Sequence, residues 1–457
     1  MKKVLLLLAL YFSSAFSQVY STGLIFDDEA YQNTPKTAKL LTRDFKFLPV
    51  AVSLEAYAPE VGDQGHTGTC TAWATAYGAR TIIESIAQHR LNKRLTTNSV
   101  FSPSYIYNQI RRYQGCQRGT SIGEALGLME REGVAKFDHF GFDCNRMVRF
   151  KDKKLASSYK IKDYKKLFGL YSSNKIQPIK KALSEKNPVL IGMETPDSFS
   201  KRKEHVWQPK EQDYYQSNLG GHAMVVVGYD DNIAGGSFRL MNSWGRDWGD
   251  GGFKWIRYRD FKHFVKYSYE MIPNLSRQSS IKLGGALKFM DSNGNVMNVR
   301  YNDKHHFYQM NQAYKSGTRF NFFIKNAQPA YLYAFGLDSG GKVSSIFPHN
   351  KGVSAFLSYK NSSIAFPDEE SHIRLDNQRG KDYFVVLYSK NKLNIDAIKH
   401  SFSRGRGSVN QRLQAILGKR LIHNRINFSK NFIDFSYNSN RNNSASIVAI
   451  VIEFDHI

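Results

Sequence analysis

The fold of this chain is constrained most by the order in which helical and strand patterns follow each other in the sequence. Apolar residues recur at helical spacing in residues 71–89, 121–133 and 176–185, and the second of these opens on a Ser121/Glu124 capping box. Apolar strands are predicted afterwards at 188–192, 223–229, 237–241 and 252–258. Because helices come first and strands follow, we expect an α+β domain over residues 46–273, with a helical half and a β-rich half.

The pattern changes after a polar linker at residues 274–280. Asn293-Gly294 is a hairpin signal, and short strands are predicted at 331–337, 383–388 and 446–454. Residues 408–422 are the one clear helical segment of this half. We therefore expect a separate, mainly β, sandwich-like domain over residues 281–457.

The N-terminus has the pattern of a secretory signal peptide. Lys2 and Lys3 precede an apolar run at residues 4–12, and small residues occupy positions 15 and 17. This run is too short to span a bilayer, and no later stretch reaches the ~18 apolar residues that a membrane helix needs. We expect cleavage after Ser17, a short leader at residues 18–45, export to the periplasm or the cell exterior, and no stable membrane insertion.

The formal net charge is +25. Residues 274–457 hold 25 Lys or Arg and 12 Asp or Glu, which is +13, so the excess is spread evenly. An even basic surface suits solubility and weak binding of acidic polymers, but does not suggest a nucleic-acid partner. Residues 397–433 contain eight basic residues and no acid, which favours a solvated basic face of the C-terminal domain. We expect a monomer.

Cys70 is the cysteine that needs an explanation, since an exported chain with three cysteines has one left over. It lies at the start of the predicted helix from Thr71 and follows Gly65 and Gly68. The positive end of a helix favours a thiolate, and glycines let a substrate approach the backbone. The alternative is a buried structural cysteine beneath a helix cap.

Three further polar residues fit roles beside a nucleophilic thiol. Gln64 can donate to an oxyanion together with the Cys70 N–H, His222 at a strand end can act as the base, and Asn242 can orient the imidazole. Singly, each has a structural alternative: a surface Gln, a core His or a turn Asn. Their joint occurrence in this order favours catalysis.

The flanks of these residues resemble the papain-like cysteine peptidases, of the secreted bacterial type. The matching motifs are DQGHTGTCTAW at 63–73, GHAMVVVGY at 221–229 and NSWGRDWGDGGF at 242–253. The resemblance implies a two-subdomain fold and a cysteine-type endopeptidase acting on proteins or peptides. It implies catalysis by Cys70, His222, Asn242 and Gln64, with Trp244 shielding the His–Asn hydrogen bond and no metal or organic cofactor.

The sequence departs from this family pattern at two flanking positions. Thr67 stands where the family usually has a cysteine, and Thr71 where it has an aromatic residue. Without the family's usual partner, Cys116 and Cys144 either pair with each other or remain two reduced thiols.

A glycine-containing segment after Cys116 resembles the family's substrate-binding loop. The resemblance implies backbone contacts from Gly119 and Thr120 to an extended peptide, beside Gly68 and Trp244. The leader is shorter than the helical propeptide that usually blocks the cleft in this family. Either no such domain controls activation or another segment does.

The second half resembles, less specifically, an all-β domain of unknown role found after bacterial secreted peptidases. Its Asp338-Ser339-Gly340-Gly341 run is ordinary turn chemistry between two strands, so we do not interpret it as a serine-protease site. His305-His306 lacks metal-ligand spacing and is expected to be exposed.

Two other functions remain open from the sequence. One is a non-catalytic protein that binds peptides or envelope components on a papain-like shell, and the other is a thiol transpeptidase that transfers the acyl group to an amine. Irreversible labelling by a peptidyl epoxide separates the first from an enzyme, and ligation to an added amine identifies the second.

Overall fold

The computed structural model describes residues 21–201, 204–274, 281–439 and 445–457. The predicted signal peptide at 1–17 and the linker after Asn274 lie outside the described residues. In the described part of the chain, none of the helices has the length and apolar character needed to cross a membrane.

Helices occur mainly before residue 160, and the longest of them is continuous from residue 70 to residue 87. Its middle section, Trp73–Arg80, is π-helical. The α-helices are α1 Asp28–Asn33, α2 Cys70–Ala72, α3 Thr81–Ala87, α4 Lys93–Thr97, α5 Pro103–Ile110, α6 Ile122–Arg131, α7 Phe137–Phe140, α8 Phe150–Ala156, α9 Ile176–Ser184, α10 Tyr258–Phe264, α11 Ile395–Arg404 and α12 Val409–Leu417.

Strands dominate the rest of the described chain. They are β1 Ala51–Ser53, β2 Ile161–Lys166, β3 Val189–Thr195, β4 Val206–Trp207, β5 Gly220–Asp230, β6 Ser237–Met241, β7 Phe253–Arg257, β8 Val265–Pro273, β9 Ile281–Asp291, β10 Val299–Asn302, β11 Phe307–Met310, β12 Arg319–Asn326, β13 Ala330–Leu337, β14 Val343–Phe347, β15 Phe356–Leu357, β16 Ser363–Phe366, β17 Ile373–Arg374, β18 Gly380–Ser389, β19 Ile426–Phe428, β20 Ile433–Ser439 and β21 Ile447–His456.

The first half of the chain is the expected α+β arrangement. Its strands form one sheet in the order β2-β8-β3-β5-β6-β7-β4, with β1 on β5. The central strand β5 is buried over most of its length, as its apolar run requires. The helix at 70–87 packs on this strand closely enough that a Cβ at Gly78 would lie 2.8 Å from Val225. That packing brings the start of the helix to β5.

The second half is rich in β-strands and consists of two sheets. One has the order β10-β11-β21-β18-β13-β14 with β15 on β13, and the other has the order β16-β12-β9-β20-β19 with β17 on β12. Alternate residues of β18 point to opposite sides. Phe384 packs against Phe289 of the other sheet, while Val385 belongs to the cluster that includes Phe402 of α11. Helices α11 and α12 thus cover one face of a sandwich.

Two local predictions were wrong. Ser121 precedes α6, but its side chain makes no capping hydrogen bond, so the Ser121/Glu124 box does not form. The C-terminal half also has two helices where the sequence indicated one. The missed helix, α11, has an Asn394 cap and only two buried residues, Ile398 and Phe402, so its apolar period is weak.

Candidate active site

The long helix begins at Cys70, and the thiol is fully buried. The N–H groups of Ala72 and Trp73 turn back to the carbonyl of Thr69. Thr71 donates its hydroxyl to the carbonyl of Thr120 at 2.9 Å. The threonine found where the family has an aromatic residue therefore ties the nucleophile helix to the neighbouring loop.

His222 and Asn242 form a hydrogen-bonded pair on adjacent strands. His222 lies in β5, Asn242 follows the end of β6, and Nε2 of the imidazole is 2.7 Å from Oδ1 of the amide. The N–H of Ser243 donates to the same Oδ1 at 2.7 Å. Two donors on one oxygen fix the amide, so the imidazole must use Nε2–H in this bond.

The other imidazole nitrogen, Nδ1 of His222, is buried and has no hydrogen-bond partner among the described residues. Trp244 stacks on the ring with centroids 4.4 Å apart and planes at 25°. The shielding of the His222–Asn242 bond that the resemblance implies for Trp244 stays a prediction, and this stacking is compatible with it. Nδ1 is then the atom left to exchange a proton with a thiol.

Gln64 is held by the segment that carries Asn242. Its Oε1 accepts from Ser243 Oγ at 2.6 Å, and its N–H donates to the Ser243 carbonyl at 2.8 Å. Its Nε2 donates to the carbonyls of Thr67 at 2.7 Å and Ser21 at 3.0 Å. Ser243 was not predicted from the sequence. The one signal that could have indicated it is a hydroxyl-bearing residue directly after Asn242.

The glycine-containing loop is joined to the nucleophile segment. Gly68 donates its N–H to the carbonyl of Cys116 at 2.7 Å. Cys116 and Cys144 form a disulfide with their Cα atoms 5.5 Å apart, which settles between the two alternatives. Thr67 replaces the family's other cysteine and hydrogen-bonds with its hydroxyl to the carbonyl of Gln64 and to Thr69. Cys70 is the free thiol of the three cysteines.

Residues 21–25 of the leader lie in the cleft as an extended peptide. The carbonyl of Ser21 accepts from Gln64 and also from Nε1 of Trp244 at 3.1 Å. Gly23 accepts from the N–H of Thr120 at 2.9 Å, and Ile25 donates to the carbonyl of Thr120 at 3.1 Å, which is a parallel pairing. The leader therefore occupies Gln64, Trp244 and Thr120, three of the residues predicted to hold substrate or oxyanion.

Close backbone contact explains the glycines at this point of the cleft. A Cβ at Gly23 would lie 2.1 Å from the carbonyl oxygen of Gly68, and a Cβ at Gly119 would lie 2.3 Å from the carbonyl oxygen of Gly23. The leader thus fits only where three glycines meet. No periodic pattern in residues 18–45 signalled this contact.

The covered site is electrically neutral. Burial raises the pKa of the Cys70 thiol to about 11, although hydrogen bonds from the backbone of Ala223 and Gly23 oppose the rise. Burial also lowers the pKa of His222 to about 4, against the opposing hydrogen bond of Asn242. With the leader in place, near neutral pH, the thiol keeps its proton and the imidazole is uncharged.

A hydrogen-bonded Ser–His–Asp row lies in the C-terminal domain. Ser316 Oγ is 3.0 Å from Nε2 of His456, and Nδ1 of His456 is 3.0 Å from Asp382. However, the N–H groups of Ser316 and Gly317 donate to backbone carbonyls of Ile457 and Leu375, so neither is free to stabilise an oxyanion. These three hydrogen-bonded residues therefore connect the C-terminal strand β21 to its neighbours.

The two segments that the sequence analysis rejected as sites are a turn and an exposed pair of histidines. Asp338 to Gly341 form a turn between β13 and β14, with Ser339 donating to the carbonyl of Arg379 at 2.8 Å. His305 and His306 are exposed. Within the described ranges, no group of three His, Cys, Asp or Glu side chains has the placement to hold a metal ion.

A buried thiol at a helix start, an imidazole–amide pair and a glutamine donor define the class of cysteine-dependent acyl-transfer sites. The comparisons identify the family. Residues 51–270 match the family model described as papain family cysteine protease, and residues 313–392 match a domain of unknown function, DUF4384. The first of these two regions belongs to the papain family.

Individual relatives are distant. An uncharacterised peptidase C1-like protein of Acanthamoeba polyphaga mimivirus is 28% identical over 42% of this chain and 62% of its own. Cathepsin C of Schistosoma mansoni is 25% identical over 42% of this chain and 43% of its own. Xylellain, a cysteine protease from Xylella fastidiosa, covers 55% of this chain and 96% of its own at 22% identity and a TM-score of 0.46. The chain spans less than two thirds of the curated relatives' length.

Proposed function

We propose that the protein hydrolyses peptide bonds with Cys70 as nucleophile and His222 as its acid–base partner. One observation carries the proposal: Gln64 Nε2 already donates to a peptide carbonyl, that of Ser21, while the backbone of Gly23, two residues further on, hydrogen-bonds to the buried Cys70 thiol. The residue assigned to the oxyanion therefore accommodates a peptide carbonyl. Asn242, which we assign to orient the base, is hydrogen-bonded to that base, His222.

The chemistry follows from these positions once a substrate replaces the leader. His222 Nδ1 takes the thiol proton, and the Cys70 thiolate attacks the carbonyl carbon while Gln64 Nε2 and the Cys70 N–H stabilise the oxyanion. The imidazolium then protonates the leaving amine. Water, deprotonated by His222, hydrolyses the thioester and restores the free thiol. Asn242 keeps Nε2–H engaged throughout, so that Nδ1 faces the reaction.

The test is irreversible labelling by a peptidyl epoxide, together with hydrolysis of a denatured protein substrate. Cys70→Ser keeps the size of the side chain and loses the thiol, and we expect both labelling and hydrolysis to fall by more than about a thousandfold. Because the leader covers the thiol, both assays are repeated in Gly23→Ala, whose added methyl group conflicts with Gly68. Full hydrolysis by Cys70→Ser contradicts the mechanism.

The two alternatives give different results in the same experiment. A protein that only binds peptides leaves Gly23→Ala unlabelled and inactive while it retains the peptide. A transpeptidase is labelled, and an added amine then appears covalently joined to the acyl fragment. Hydrolysis without ligated product supports the peptidase.

Export and binding of acidic polymers remain proposals of the same kind. The N-terminal pattern at 1–17 supports export, which N-terminal sequencing of the secreted protein tests. Within the basic segment at residues 397–433 of the C-terminal domain, Arg404, Arg406, Lys419 and Arg425 are exposed and make no ion pair with other described residues. Salt-sensitive retention on immobilised heparin, lost on changing these four to Gln, is the expected result.

A further inference from the structure

The second half of the leader lies against the C-terminal β domain. Lys36 donates its N–H to the carbonyl of Gly352 at 2.7 Å and accepts from the N–H of Ser354 at 2.8 Å. The same residue pairs with Lys166 of β2 on its other side. Pro35 accepts from the N–H of Lys166 at 3.0 Å, and Thr37 donates to the carbonyl of Lys166 at 2.9 Å. Residues 35–37 therefore stand between the two domains and are hydrogen-bonded to both.

A few residues later the leader extends a sheet of the β domain. Strand β16 lies at the edge of its sheet, paired with β12 on one side only. Leu41 donates its N–H to the carbonyl of Ser363 at 3.0 Å, and Leu40 forms an antiparallel bridge with Ile364. An edge strand offers unpaired backbone groups, and here the leader satisfies them.

Side chains add to this backbone pairing. Thr42 donates its N–H and its hydroxyl to Glu369 at 3.0 and 2.8 Å. Arg43 donates to the hydroxyl of Ser363 at 2.9 Å, and Asp44 accepts from the N–H of Ser363 at 3.0 Å. Three consecutive leader residues thus bind the β domain through their side chains.

A buried polar cluster joins the leader to both domains. Lys165 Nζ donates to Thr37 Oγ1 at 3.0 Å and lies 3.6 Å from Glu270, with both charged side chains 1% exposed. Tyr359 of the β domain donates to the same Glu270 at 3.0 Å. Groups at this depth need all their partners, so movement of the leader or of the β domain disturbs the cluster.

We propose that the C-terminal β domain functions as the anchor of the leader: its surface formed by β16, Glu369 and the 350–354 loop binds residues 36–44 and thereby keeps residues 21–25 in the cleft. The inhibitory consequence rests on the proposed peptidase function. The competing arrangement is a leader held by the first domain alone, through Tyr31, whose hydroxyl donates to the carbonyl of Phe168 at 2.7 Å. The two arrangements differ in what changes on the β domain should do.

The experiment measures how fast Cys70 is alkylated by iodoacetamide in the full-length native chain. Cys116 and Cys144 are bonded, so intact mass reports Cys70 alone. There are two variants. One combines Arg43→Ala with Glu369→Ala, and the other carries Leu41→Pro alone. Leu41 has φ −63°, which proline adopts, so this change removes the N–H bond to Ser363 without a strained backbone. The control is Glu370→Ala, an exposed neighbouring acid outside these contacts.

We expect alkylation at least about fivefold faster in both variants than in the control, since each loses hydrogen bonds that hold the leader. Peptide hydrolysis should rise in parallel, and the intact mass should show that the leader has not been cleaved. Unchanged alkylation in both variants overturns the anchor, whatever the hydrolysis. Faster alkylation without hydrolysis supports the anchor and refutes the peptidase instead. Thermal unfolding of each variant shows whether the fold is retained.

Discussion

The carbonyl oxygen of Ser21 lies 3.0 Å from Nε2 of Gln64. The residue that we assign to the oxyanion is therefore engaged by the protein's own leader. Ser21 also receives the indole N–H of Trp244, which stacks on His222. Removal of the leader thus frees a donor of Gln64 and the indole N–H of Trp244, and in our proposal the Gln64 donor then stabilises the oxyanion.

Gln64→Glu should separate the two roles of Gln64, which are to hold the leader and to stabilise the oxyanion. The carboxylate cannot donate to the carbonyls of Ser21 and Thr67, so the leader is held less tightly and Cys70 alkylation accelerates. The same loss removes an oxyanion donor, and we expect kcat to fall by about a hundredfold or more. A parallel rise in alkylation and kcat would contradict the assigned role. Gln414→Glu, at an exposed position of α12, is the matched control.

Asn242→Ala tests the orientation of the base. His222 loses its Nε2 partner, so the ring can turn and present the wrong nitrogen to the thiol. We expect kcat to fall by roughly ten- to a thousandfold with little change in KM, because the amide does not contact a bound peptide. Asn232→Ala, an exposed asparagine in a turn, should leave both constants unchanged. A rise in KM alone would show that Asn242 binds substrate.

The pairing of His222 with Asn242 could be predicted because both residues stand in local motifs that resemble those of a known family. Cys70 opens a helix of clear apolar period, His222 lies on an apolar strand, and Asn242 directly follows another. The resemblance of three motifs to the papain-like family, in the same order along the chain, was what led us to propose that these residues meet.

The leader could not be predicted for a physical reason. Its contacts in the cleft are backbone hydrogen bonds, such as Thr120 to Gly23 and Ile25 to Thr120, and these have no side-chain signature. The same holds for Lys36 and Leu41, which pair with the β domain through main-chain atoms. Likewise, Cys116 and Cys144 became distinguishable from two free thiols only when their Cα positions were known.

The pH dependence of the closed state follows from the buried pair. The pKa of His222 is about 4 when covered, below its ordinary 6.5, so the open state binds more protons between these values. The contribution of His222 to closure is therefore full above about pH 6.5 and is lost as the pH falls toward 4. The pKa of Cys70 is raised to about 11 from 9.0, so the contribution of this thiol to closure is lost as the pH rises from 9.0 toward 11.

The change in closure below pH 6.5, which we call the acid limb, is measured by the reactivity of Cys70 with a dipyridyl disulfide, relative to a free thiol at each pH. We expect relative reactivity to increase by up to roughly tenfold per pH unit below pH 6.5. His222→Gln removes the titrating group and should flatten this limb. A slope that persists in that variant would assign the opening to another group.

Removal of the disulfide should act on substrate binding more than on chemistry. The Cys116–Cys144 bond closes a loop of 28 residues that carries Gly119 and Thr120. Opening it should cost about 3 to 4 kcal/mol of unfolding free energy. The double change Cys116→Ser with Cys144→Ser should lower the denaturation midpoint and raise KM severalfold, while kcat changes less. An unchanged KM would show that the loop holds its shape without the bond.

Gly23→Ala is the sharpest test of the leader in the cleft. An added Cβ would lie 2.1 Å from the backbone oxygen of Gly68, an atom that cannot move without breaking the N–H bond from Gly68 to Cys116. The leader must therefore leave the cleft, and we expect Cys70 alkylation to accelerate by more than about tenfold. Ser21→Ala keeps the carbonyl that Gln64 binds and should alkylate at the parent rate. Equal rates in Gly23→Ala and Ser21→Ala would mean that residues 21–25 do not cover the thiol in solution.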